Sequence, residues 1–171
     1  SLQTLLDRRP GLPLIASAGT LEATDEEHGP FESPRCMEVG DTVEVGGLRL
    51  QSFPLNHDAL QPTGYRIDGD GFSIGIATDL GYWDETVVEM LRGCRLVFLE
   101  ANHDAEMLRR GPYPAFLKRR ISSSDGHLSN SQARALATRI AGEQLEHIVL
   151  GHLSGKNNTP ELAIRAVTSA L

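Results

Sequence analysis

Apolar and polar positions alternate along the first half of the chain, then give way to longer, helix-spaced patterns. Residues 2–9 read as the end of a helix stopped by Pro10-Gly11, and residues 12–16 as a short buried strand. Residues 19–34 mix Gly, Pro and acids without a period, which predicts a loop with at most a helical turn. In residues 41–46, Val43 and Val45 alternate with polar neighbours. Residues 48–53 follow across Gly46-Gly47, so the two runs predict a hairpin with a positive-φ turn. Residues 64–68 and 72–77 predict a second hairpin around Gly69-Asp70-Gly71.

Downstream the period changes. Residues 84–92 are amphipathic, with Asp84 near the start and Gly93 past the end, the signals that open and close a helix. Residues 95–99 read as a buried strand. Residues 129–141 predict a helix with Ala133, Leu136, Ala137 and Ile140 on one face. Residues 148–150 predict a strand, and residues 159–171 a helix opened by Thr159-Pro160-Glu161. Hairpins followed by alternating strands and helices predict an α/β layered sandwich.

A chain of 171 residues with 40% hydrophobic content makes one domain or a large piece of one. No apolar run approaches membrane-spanning length, and no basic start leads into a secretory signal. Cys36 and Cys94 lie in unrelated segments without metal-type spacing, which fits reduced thiols in a cytoplasmic protein. A net charge of −7 argues against a protein that coats nucleic acid through overall charge. Yet residues 107–124 hold Arg109, Arg110, Lys118, Arg119 and Arg120 and no acid. Such a patch is compatible with a phosphate-bearing substrate drawn to one place, although charge alone favours a solvated basic face.

Most chemistry-bearing residues sit just past apolar strands. His57-Asp58 follows the strand ending at Phe53, where an imidazole can ligate a metal while a neighbour orients it; a lone loop His is more often plain surface. Asp79 is delivered into a glycine-bearing turn, where a carboxylate can bridge two cations or simply cap the next helix. Glu100-Ala101-Asn102-His103-Asp104 crowds polar groups beside a buried strand, which predicts a site wall formed with Asp58. His127 precedes a helix start and could protonate a leaving oxygen, and His152 ends the last strand. His28 and His147 read as structural or surface residues.

With these strings in order, the chain resembles the metallo-β-lactamase-fold hydrolases, and within them the YycJ/WalJ-type branch, with the ribonuclease Z group as a more distant relative. The resemblance runs from about Leu48 to His152 through His57 with Gly64-Tyr65-Arg66, Thr78-Asp79-Leu80-Gly81, Glu100 to Asp104, Lys118-Arg119-Arg120-Ile121, Gly126-His127-Leu128-Ser129-Asn130 and Gly151-His152-Leu153-Ser154. It implies a metallo-β-lactamase-like αββα sandwich and a dinuclear metallohydrolase acting on phosphodiesters of nucleic acid, as an exonuclease. His57 would ligate one of two divalent ions, His152 the other, and Asp79 both. Zinc is the first expectation, with manganese and iron as alternatives. His127 would be catalytic alongside Asp79, and Arg109, Arg110, Lys118, Arg119 and Arg120 would hold phosphates.

The superfamily's principal signature, His-x-His-x-Asp-His, does not occur in the sequence, and the first residues read like the middle of a helix. The expectation is therefore the C-terminal portion of the fold, inactive or nearly so by itself. The alternative is a metal-free remnant acting as a binding or scaffold module.

Overall fold

The computed structural model describes residues 2–9, 11–28 and 34–169. The stop signal at Pro10, residues 29–33 of the expected loop and the last two residues of the expected final helix lie outside that set. The chain opens with helix α1 (Leu2–Arg8), a two-residue strand β1 (Ile15–Ala16) and helix α2 (Ala18–His28). Strand β2 (Arg35–Cys36) pairs with β1 in parallel.

Helix α2 corrects the expectation of a loop over residues 19–34. It carries no apolar stripe, so periodicity had nothing to report. Its first turn is secured from outside: the Gly19 N–H donates to Gln61 Oε1 at 2.9 Å, and the Ser17 hydroxyl to the Gln61 carbonyl at 3.2 Å. The buried strand expected over residues 12–16 likewise shrinks to β1.

The main sheet has six strands. The first four, β3 (Thr42–Val45), β4 (Leu48–Pro54), β5 (Thr63–Gly69) and β6 (Phe72–Ala77), are antiparallel neighbours. Gly46 and Gly47 (φ 57° and 83°) turn the first hairpin, and Gly71 (φ 75°) the second, conformations that L side chains resist. Strands β7 (Leu96–Glu100) and β8 (His147–Gly151) then add in parallel to β6. Parallel neighbours need crossovers. Helix α3 (Glu85–Leu91) makes the first, and α4 (Ala105–Arg110), α5 (Ala115–Ile121) and α6 (Asn130–Ile140) make the second. Helix α7 (Pro160–Thr168) closes the described chain.

Caps explain the helix limits. The Asp84 carboxylate accepts the Val87 N–H at 3.1 Å, Ser129 and Gln132 form a capping box on α6, and Thr159 caps α7 ahead of Pro160. Helices α4 and α5 had no counterpart in the sequence pattern. Helix α4 is opened by Asp104, whose carboxylate accepts the N–H groups of Glu106 and Met107 at 3.0 and 2.9 Å.

One sheet face packs on helices α3 and α6. Val97, Leu99, Leu91, Leu136, Leu80 and Leu128 are fully buried there. Each such aliphatic side chain contributes about 1.5–3 kcal/mol through burial. The register places Leu48, Phe72, Phe98 and Val149 on the opposite face, each near 40% exposed. No helix among the described residues is long and apolar enough to cross a membrane.

Strand direction positions the site. Strand β4 runs antiparallel to β5 and β5 to β6, so β4 points the same way as β6, β7 and β8. The segments that leave these four strands emerge at one rim, carrying His57, Asp79, Asn102 and His152.

Candidate functional site

At that rim, four side chains from distant parts of the chain converge. Ligand atoms of His57, Asp79 and His127 lie within 4.8 Å of one another. The His57 and His127 ring centroids are 4.9 Å apart, as are those of His127 and His152. His152 Nε2 lies 3.2 Å from Asp79 Oδ1. His57, Asp79 and His152 thus meet around a fourth group, His127, which stands between the two other imidazoles.

Hydrogen bonds set the tautomers. The Gly126 carbonyl lies 2.9 Å from His57 Nδ1 and can only accept, so that nitrogen carries the proton and Nε2 is left basic. His57 Nε2 is 3.4 Å from Asp58 Oδ1. His127 Nδ1 donates to Glu100 Oε1 at 2.7 Å, and Glu100 Oε2 accepts the Leu80 N–H at 2.8 Å. Glu100 is fully buried with both oxygens engaged. The hydrogen bond to Glu100 raises the pKa of His127 against the opposing pull of burial, with Asp79 and Asp58 adding to the rise. Ligand atoms of Glu100, His127 and His152 also fall within 4.8 Å, but a carboxylate spent on two donors serves to orient His127.

Asp79 is not a helix cap: that task belongs to Asp84. Its own backbone adopts φ 60° and that of His152 φ 53°. Around them, Gly81 N–H donates to the Asn56 carbonyl (2.8 Å) and Ser154 N–H to the Asn102 carbonyl (2.8 Å). The Asn102 side-chain amide holds the His152 carbonyl at 2.9 Å. The loop carrying His127 lies along the end of β7, with Asn102 N–H bonded to the Leu128 carbonyl (2.9 Å) and Asn130 N–H to the His103 carbonyl (2.8 Å).

The expected wall residues separate. Asp58 and Asn102 line a cavity of about 410 Å³ together with His57, His127 and His152. Glu100 lies behind His127. Asp104 caps α4, so its polarity serves the helix. His103 is buried, its Nδ1 has no hydrogen-bond partner among the described residues, and burial, with the charge of His127, pushes its pKa down to about 4. A larger cavity of about 700 Å³ lies between β8 and α7, lined mainly by apolar residues such as Leu145, Ile148 and Val167, away from these groups.

The five basic residues also separate. Arg109 and Arg110 both pair with Glu106 on their own helix, just outside the acid-free window. Lys118 Nζ donates to the Arg109 carbonyl at 2.8 Å, and Arg119 is exposed. Arg120 lines the cavity, its Nε 2.6 Å from Asp58 Oδ2, a contact that lowers the pKa of Asp58. Tyr113, Leu117 and Ile121 complete that wall and carried no signal of their own beyond proximity to the basic run.

The donor set fits divalent cations. The imidazoles of His57 and His152 and the half-buried Asp79 carboxylate are nitrogen and oxygen ligands of the kind zinc, manganese and iron accept.

Comparison with known proteins identifies the family. A family model described as a β-lactamase superfamily domain matches residues 1–152. The exodeoxyribonuclease YycJ of Bacillus anthracis is 34% identical over 169 residues, covering 98% of this chain and 64% of that protein. The exodeoxyribonuclease WalJ of Streptococcus pneumoniae serotype 2 is 36% identical over 171 residues, with the same two coverages. The chain therefore spans 64% of the length of the curated relatives it matches. Among solved structures, the metallo-β-lactamase fold protein YhfI from Bacillus subtilis superimposes with a TM-score of 0.70 at 14% identity. That match covers 94% of this chain and 59% of YhfI, and it speaks to the fold alone.

Proposed function

This chain belongs to the β-lactamase superfamily and has the metallo-β-lactamase fold, and on that premise we propose that it forms part of a metal-dependent phosphodiesterase, an exonuclease acting on nucleic acid in the cytoplasm. The observation that carries the reading is the convergence of His57, Asp79, His127 and His152, whose three imidazoles line one cavity, with buried Glu100 behind His127 and Arg120 at the wall. The exodeoxyribonuclease names of the two relatives supply the substrate class.

His57, Asp79 and His152 would hold two divalent cations, zinc first among them. Bound there, the cations supply Lewis acidity that neutralises charge on a phosphoryl group and activates water. The Glu100 carboxylate favours the imidazolium form of His127, in which Nε2 carries a proton as well as Nδ1. That suits a general acid delivering a proton to the leaving oxygen, a role worth on the order of 10²–10⁴ in rate. Arg120 has guanidinium N–H groups beyond the one given to Asp58, and these can bind a phosphate oxygen. Three ligand residues are few for two ions, so the 171-residue polypeptide alone is expected to show little turnover.

The test is metal analysis and hydrolysis of end-labelled DNA by the full-length protein. Bound divalent metal with turnover, and loss of both in His57→Ala and Asp79→Ala, supports the reading. A folded full-length protein that takes up no metal and cleaves no phosphodiester would leave a binding module instead.

A further inference from the structure

Resting on the reading of this cavity as a phosphodiester site, we propose that Tyr113 stacks on the base of a single terminal nucleotide, so that the site takes an unpaired strand end in preference to a duplex. The lining is divided by chemistry. His57, His127, His152 and Asn102 offer polar atoms, whereas Leu117 and Ile121 are aliphatic and Tyr113 offers an aromatic ring. Leu117 and Ile121 lie one turn apart on α5 and so share a face, with Tyr113 just ahead of that helix. A phosphodiester beside the histidines therefore has an aromatic and aliphatic surface within the same cavity, which suits the base of the same nucleotide.

Size and preorganisation point the same way. A volume of about 410 Å³ lies within the range of pockets that hold one small molecule, roughly 300–1,000 Å³. A base still paired in a duplex would have to leave its stack to enter. Tyr113 stands between Pro112 and Pro114, which restrict its backbone. Upstream, a Cβ on Gly111 would come within 2.5 Å of Oδ1 of the fully buried Asn157, so this turn is seated closely on the loop that follows His152. A backbone restrained this way loses less freedom when a base arrives, and aromatic stacking accepts any base. Arg120, pinned to Asp58 at the same wall, supplies the positive charge that a phosphate needs.

The test is equilibrium binding to the metal-depleted full-length protein, which prevents turnover, by fluorescence anisotropy. The probes are a short single-stranded deoxyoligonucleotide, the same strand with an abasic terminal nucleotide, and a blunt duplex. The wild-type protein is expected to prefer the intact strand over the abasic one by at least about fivefold, within the span that stacking gives. Tyr113→Ala should erase that preference while leaving the abasic strand bound as before, and Tyr113→Trp should retain it. Phe116→Ala removes an exposed ring on the same helix that does not line the cavity, and should change nothing. Equal weakening of both single strands by Tyr113→Ala, no weakening of either, or a duplex bound as tightly as the intact strand would overturn the proposal. Metal-dependent cleavage of DNA alongside any of those results would leave the nuclease reading standing. Absence of both binding and cleavage would remove that reading as well.

Discussion

Asp79 and His152 meet with Oδ1 3.2 Å from Nε2, and they are the two non-glycine residues at positive φ among the described residues. A left-handed backbone costs an L residue about 1–2 kcal/mol. That cost is borne where neighbouring hydrogen bonds over-determine the conformation, as the Asn102 amide does at the His152 carbonyl. Asp79→Gly is therefore expected to be more stable than Asp79→Ala by about 1 kcal/mol, and His152→Gly more stable than His152→Ala by a similar amount. Urea unfolding of the four metal-free variants measures it. Equal stabilities within each pair would show that the backbone stores no strain there.

Glu100 gives a second expectation, in pH. The folded pKa of His127 is raised above its ordinary value of 6.5, chiefly by the Glu100 hydrogen bond. The protonated pair therefore stabilises the fold fully below the unfolded pKa, and that contribution is lost as pH rises through the folded value. In Glu100→Gln the His127 titration should move down and the stability loss as pH rises above the ordinary histidine value should flatten. The variant also disturbs a fully buried acceptor, so a pH-independent loss of about 1–3 kcal/mol is expected alongside. NMR titration of the metal-free protein reads the first effect, and denaturant unfolding across pH the second.

These pairings show where sequence reasoning reaches and where it stops. The hairpins were legible because Val43 and Val45 alternate with polar neighbours and glycines stand at the turns. Helices α3, α6 and α7 were legible from their caps. Helix α2 was not, since its anchor is Gln61, a residue that only folding brings near. Glu100 and Asp104 sat in one polar string, yet one orients a site histidine and the other caps a helix. Only the direction of the neighbouring backbone tells those roles apart. Likewise, the centrality of His127 depends on a loop lying along the end of β7, a contact without local signature.

Gly126 offers a third test, of packing. A Cβ there would fall under 3.0 Å from the carbonyl oxygens of Arg120 and Ile121, which are backbone atoms with little room to yield. Its own carbonyl accepts the proton of His57 Nδ1. Gly126→Ala is expected to cost about 1–3 kcal/mol and to weaken metal binding by displacing that carbonyl. Gly142→Ala, where a Cβ would meet nothing within 4 Å, is the matched control. Thermal unfolding and metal content of the two variants decide whether the effect is specific to the site.

The basic residues supply a fourth expectation, because their partners rank them. Arg109 and Arg110 share the carboxylate of Glu106 on an exposed helix, so their charge is already partly compensated and lies outside the cavity lining. Arg120 lies in that lining, and its contact with Asp58 leaves other N–H donors available. Removing a phosphate contact lowers affinity for every sequence and reduces the dependence of log K on log salt by about one. Arg120→Ala in the full-length protein should show both changes with single-stranded DNA, whereas Arg109→Ala and Arg110→Ala should leave the slope nearly unaltered. The Arg120 change also frees Asp58 beside His57, so Arg120→Lys serves as the companion variant: it keeps the charge and should retain most of the slope. Salt titrations of the four variants decide between a phosphate contact at the cavity and a basic surface that acts only through its total charge. Equal slopes for Arg109→Ala and Arg120→Ala would favour the latter.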